Sequence, residues 1–106
     1  GVQTCALPIF EHIWKSDEDR FVANLAASVT APGVAIIGLP SFESQLYASA
    51  GSKEGHVNCK TAVDLKALMQ KYFHEVFIFS MNDEVVHTGF YKLAHYLFAL
   101  CVGKRA

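Results

Sequence analysis

Five histidines, three cysteines and ten carboxylates are the groups from which this chain can build a reactive site. His56 is the most suggestive of them, because an imidazole with its ordinary pKa near neutrality takes a proton from an attacking hydroxyl or amine. His56 also makes an H-x-x-C pair with Cys59, and His87 and His95 would have to complete a zinc site around it. Zinc ligands usually occur as two local pairs; only one is present, so the spacing predicts no metal. Asp83 and Glu84 with His87 resemble an acid-base cluster, but a solvated hairpin turn accounts for them. Gly51-Ser52-Lys53-Glu54-Gly55 lacks the GxxxxGK[ST] pattern of a phosphate loop. Cys101 lies in an apolar run and reads as a small buried hydrophobe, and Phe73, Phe77, Phe79, Tyr91, Tyr96 and Phe98 read as core.

Those side chains need elements to hold them, and the pattern supplies five. Ser16 followed by Asp17, Glu18 and Asp19 is a helix start, with a hydroxyl cap and negative charge at the positive end of the helix dipole. Phe21, Val22, Leu25 and Val29 then form an apolar stripe on a helix of about 13 residues, which Ala31-Pro32-Gly33 ends. The continuous apolar run 34–37 suits a strand covered on both faces. Residues 39–60 hold Pro40, several serines, Gly51 and Gly55 without periodicity, and read as a loop of about 20 residues, a length usually tied to function. Thr61 with Asp64 starts a second helix, whose face is Leu65, Leu68, Met69, Tyr72 and Phe73. The run 76–79, ended by Asn82-Asp83, and the run 94–102 both read as strands. Helix, buried strand, helix, strand, strand is the rhythm of a doubly wound α/β sheet, with half of that sheet missing.

Composition narrows the partners. The chain has 106 residues and nine Lys+Arg against ten Asp+Glu, a formal net charge of -1 with no block of like charge. That excludes the basic face a nucleic acid or an anionic membrane requires. The longest apolar run falls far short of the roughly 20 residues of a spanning helix. An odd cysteine count without regular spacing points to a reducing cytoplasm rather than a disulfide-stapled secreted domain. Residues 1–9, GVQTCALPI, look like the translation of a sequencing-library adapter joined in frame. They lack the basic and apolar regions of a signal peptide. The genuine sequence is then expected to be 10–106, a fragment whose upstream part is missing.

Several segments resemble one family in order and spacing. Phe10-Glu11-His12-Ile13 precedes an acidic helix; Ala31-Pro32-Gly33-Val34-Ala35-Ile36-Ile37-Gly38-Leu39-Pro40-Ser41 follows; then come Gly55-His56-Val57 and the helix from Thr61. Together they look like the C-terminal half of a class I S-adenosylmethionine-dependent methyltransferase, whose motifs resemble "LEHI" and "PGGxxIIxTPN". This chain has one glycine where the family often has two, and Leu39-Pro40-Ser41 in place of the commoner Thr-Pro-Asn. The resemblance implies a Rossmann-like α/β fold represented by its C-terminal half: helix, parallel strand, helix and a terminal antiparallel strand pair. It implies methyl transfer from S-adenosylmethionine to an oxygen or nitrogen of a small or sugar-like acceptor, by an enzyme inactive in this fragment. Glu11 and His12 would lie at the end of the fourth strand and contact the cofactor. His56 and His12 would be catalytic, and Pro40, Ser41 and His56 would bind the acceptor. The family's glycine-rich loop and ribose-binding carboxylate would lie upstream. With them absent, the run 34–37 would border an exposed sheet edge that invites self-association. The rival reading is a non-catalytic α/β interaction or dimerisation module.

Overall fold

The computed structural model describes the backbone of residues 3–6 and all of residues 10–105. The other positions of the adapter-like stretch 1–9, and Ala106, lie outside the described residues. The chain order is β1 (Gln3–Ala6), α1 (Glu18–Ser28), β2 (Val34–Pro40), α2 (Ala50–Gly55), α3 (Ala62–Gln70), β3 (Phe73–Asn82), β4 (Val85–His87) and β5 (Tyr96–Lys104). The strands form one sheet in the order β1-β2-β5-β3-β4. β1 pairs parallel with β2, and the three other pairs are antiparallel. Because β5 lies antiparallel between β2 and β3, those two strands point the same way, and the chain crosses from one to the other through α3.

Alternation along the central strands selects the core face. Ala35, Ile37 and Leu39 of β2 stand opposite Cys101, Ala99 and Leu97 of β5, and all six are fully buried. Val22 and Ala26 of α1, with Leu65, Leu68 and Met69 of α3, belong to the same buried cluster and cover that face. The opposite face is less protected: Ile36 is 36% exposed and Phe77, two strands away in the same row, is 51% exposed. The run 34–37 was expected to be covered on both faces, and the structure corrects this, since only one face carries helices that share its core. It also changes the expected edge, because β2 has a neighbour on each side and the sheet's borders are β1 and β4.

Local chemistry explains the element ends. Thr61 Oγ1 accepts a hydrogen bond from Asp64 N at 3.2 Å, the cap expected of α3. Ser16, expected to cap α1, lies instead within a 3₁₀ turn, Lys15–Asp17, closed by Asp17 N donating to Trp14 O at 2.9 Å. Asp17 takes the cap position, but its carboxylate is turned towards Arg20 at 3.3 Å and caps nothing. Phe73 opens β3 rather than extending the face of α3. Between β3 and β4 the hairpin turns through Asp83, whose φ of 52° is a left-handed conformation that aspartate tolerates better than most residues. The expected 20-residue loop is more ordered than composition suggests. It contains a 3₁₀ turn, Glu43–Tyr47, and the short helix α2, capped by Ser49 Oγ on Ser52 N. No helix among the described residues is long and apolar enough to cross a membrane.

Candidate functional site

Both segments that carry the candidate residues leave the sheet at the same end. β1 and β2 run parallel, so the turn Phe10–His12 and the segment 41–60 both follow the C-terminal ends of neighbouring strands. Ligands of open α/β sheets bind in that region. The turn is anchored by Phe10, which is fully buried with its ring 5.7 Å from that of Phe21. Burying Phe10 draws the next residue inward as well, and Glu11 is only 3% exposed.

The second segment then folds back onto this turn. Asn58 N donates to Glu11 O at 3.1 Å, and Gly55 O accepts from His12 Nδ1 at 2.7 Å. A carbonyl oxygen only accepts, so His12 carries its proton on Nδ1 and presents the lone pair of Nε2, which lies 3.8 Å from Glu11 Oε1. His56, directly after Gly55, sets its ring edge-on to that of His12 with centroids 5.2 Å apart. Its Nδ1 donates to Gln45 Oε1 at 3.1 Å, which leaves its Nε2 with the free lone pair. One donor atom each from Glu11, His12 and His56 falls within 4.8 Å of the other two. Glu11 Oε2 is buried and has no hydrogen-bond partner.

Beneath this trio is a polar brace that the sequence did not reveal. Glu18, the first residue of α1, accepts from Asn58 Nδ2 at 2.9 Å and pairs with Lys60 Nζ at 2.8 Å. Burial raises the Glu18 pKa, yet the hydrogen bonds from Lys60 and Asn58 and the Lys60 charge together outweigh it and hold the carboxyl below its ordinary range. Cys59, between these two braces, moves the other way. Desolvation first, and then the nearby Glu11 charge, push its thiol up to about 11, so it stays protonated at neutral pH and is a poor nucleophile.

Of the five residues singled out in the sequence, Glu11, His12 and His56 converge, Pro40 shares a cleft with His56, and Ser41 is engaged elsewhere. Pro40 and His56 line a cleft of about 670 Å³ at the strand ends, together with Gln45, Tyr47, Asn82 and Tyr96. The Gln45–His56 pair separates this cleft from a second hollow of about 470 Å³ reaching Phe42, Lys53 and Cys59. Ser41 is fully buried; its Oγ donates to Ala94 O at 2.6 Å and accepts from Ser44 N at 3.1 Å. That hydroxyl fastens the segment 41–60 to the approach of β5. His87 likewise has both ring nitrogens engaged, by Asn82 Oδ1 and by Gly89 N, as a hairpin residue with a structural task. His56 and Cys59 share no cluster of metal-ligating side chains among the described residues.

Gln45, Asn58, Lys60 and Glu18 had no sequence signal beyond lying in an irregular polar stretch or at a helix start. No protein-family model matches this chain, and no curated protein or solved structure is similar enough to count as a match. The functional reading therefore rests on the residues and their arrangement.

Proposed function

We propose that this chain carries the acceptor-facing half of an S-adenosylmethionine-dependent methyltransferase acting on an oxygen or nitrogen of a small or sugar-like acceptor. The observation that supports this most is the convergence of Glu11, His12 and His56 beyond the C-terminal ends of two parallel strands, although 44 residues separate His12 from His56 in the sequence. A terminal strand lying antiparallel between two co-directional strands also fits the resemblance. When bound, the cofactor supplies an electrophilic methyl group on a positively charged sulfur. The residues present suit part of such a ligand: Glu11 Oε2 is a buried acceptor without a donor, matched to a ligand hydroxyl or ammonium.

Direct displacement needs alignment above all, with proton removal as a secondary aid. His56 lines the cleft, and its proton on Nδ1 is held by Gln45. Its Nε2 can therefore accept a proton from an acceptor hydroxyl or amine. His12 is fixed by Gly55 O and packs against His56, so it positions that ring. Cys59 and Cys101 are free thiols, which suits the reducing cytoplasm we assign.

The test uses the chain extended upstream by its authentic reading frame in place of residues 1–9. We expect the extended protein to bind S-adenosylmethionine in titration calorimetry and the 106-residue chain to bind weakly or not at all. His56→Ala should lower kcat by more than it weakens methyl-donor binding. Absence of donor binding by the extended protein would refute the reading. It would favour the rival, a non-catalytic interaction module, for which the exposed Ile36 and Phe77 on the outer sheet face are the supporting observation.

A further inference from the structure

We propose that Glu11, His12 and His56 form a binding site for one divalent first-row transition-metal ion. The inference rests on the reading above for its three residues but gives them a common ligand, so that His56 Nε2 holds the ion instead of acting as the base; metal binding can be measured without any methyl transfer.

Four observations carry it. The donor set is two imidazoles and one carboxylate, which suits zinc, iron, cobalt or nickel better than the all-oxygen preference of calcium or magnesium. Both imidazoles are already in the ligating tautomer. His12 Nδ1 donates to Gly55 O and His56 Nδ1 donates to Gln45 Oε1, so each ring offers an Nε2 lone pair. Metal-bound histidines characteristically donate their other nitrogen to a carbonyl or carboxylate oxygen in this way. The carboxylate is buried with Oε2 lacking any partner, a costly state for a charged oxygen that a cation relieves. Finally, the residues are held together by main-chain contacts from both sides, Asn58 N to Glu11 O and Gly55 O to His12, which set the cluster before an ion arrives.

The separations are slightly open. Three donors at about 2.1 Å from one ion are roughly 3–3.5 Å apart, against 3.8 Å for Glu11 Oε1 to His12 Nε2 and at most 4.8 Å within the trio when either ring nitrogen of each histidine is counted. Closing that gap requires small shifts of the exposed His12 ring and the half-buried His56 ring that keep both Nδ1 hydrogen bonds. Three protein ligands leave open positions, as in catalytic rather than structural sites. His56 also lines the large cleft, so an acceptor oxygen can reach them from there. Cys59 lies outside the cluster of donor atoms. A direct contact between His12 Nε2 and Glu11 Oε1, now 3.8 Å apart, is the competing use of the same gap.

Cobalt(II) and zinc(II), each alone, are the probes for the 106-residue chain. We expect saturable uptake of one equivalent of cobalt with visible d–d bands, no thiolate-to-cobalt charge transfer, and displacement by zinc. Glu11→Gln, His12→Gln and His56→Gln should each weaken uptake by roughly 100-fold or more. Gln45→Ala should cost roughly 10-fold, because it removes the acceptor that orients the His56 ring. Far-UV circular dichroism identifies any variant that fails to fold, and Gln45→Ala, on a partly exposed turn, keeps the test usable if one does. No saturable cobalt uptake by the wild-type chain would overturn the proposal. So would a charge-transfer band from Cys59, or uptake unchanged in folded Glu11→Gln and His56→Gln.

Discussion

The inner face of the sheet and the segment 41–60 lie next to each other and are held by different forces. On the inner face, fully buried Leu39, Ile37, Leu97 and Ala99 meet α1 and α3 with strand ladders on both sides, and no charged group is involved. Over the strand ends, polar bonds do the holding: Ser41 to Ala94, Asn58 and Lys60 to Glu18, Gly55 to His12, Gln45 to His56. Apolar burial is non-directional and supplies most of the stability. Hydrogen bonds contribute less net free energy but fix atom positions to within tenths of an ångström. Changes over the strand ends are therefore expected to cost the chemistry while the fold survives, and changes on the inner face to cost the fold itself.

The largest effect should come from the inner face. Leu97→Ala removes a fully buried side chain opposite Leu39 and should cost about 2–5 kcal/mol, read as a lower urea midpoint. A change below about 1 kcal/mol would mean that the face is looser than its burial indicates.

Lys60 is the point where the two regions touch. Lys60→Ala leaves Glu18 with Asn58 alone and should cost about 1–3 kcal/mol. The pair also gives a sign to the pH dependence. A Glu18 pKa held below 4.5 in the folded chain means that its stabilisation is present above that value and lost as pH falls through the depressed one. Wild-type stability should thus decline on acidification below 4.5, and Lys60→Ala should flatten that decline. A variant with the wild-type acid profile would remove Glu18 as its source.

Smaller effects separate the regions most sharply. Thr61→Ala deletes the cap of α3 and should cost about 1 kcal/mol in thermal or urea unfolding. Gln45→Ala should stay within about 0.5 kcal/mol of wild type, while still weakening cobalt uptake. If Gln45→Ala destabilises the chain as much as Thr61→Ala does, the segment 41–60 is part of the cooperative core and the contrast fails.

Much of the scaffold was legible in the sequence because its signals are local. The Thr61 cap, the α3 stripe of Leu65, Leu68 and Met69, the turn at Asn82-Asp83 and the strands around 76–79 and 94–102 depend on periods of 3.6 and 2 and on turn chemistry. The same signals misled at Ser16, where a 3₁₀ turn and the Arg20 contact displaced the expected cap, and in 39–60, where two short helical pieces have no apolar period to announce them. His12 and His56 were each legible as chemically able residues. Their meeting was not, because it depends on parallel strand ends bringing residues 44 positions apart into one place. The tertiary structure alone decided that His56 joins Glu11 and His12 rather than Cys59, and that Ser41 fastens a segment to the sheet. Residue type sets what a side chain can do within its own few neighbours in the sequence; which distant groups it does it with is a property of the packed sheet.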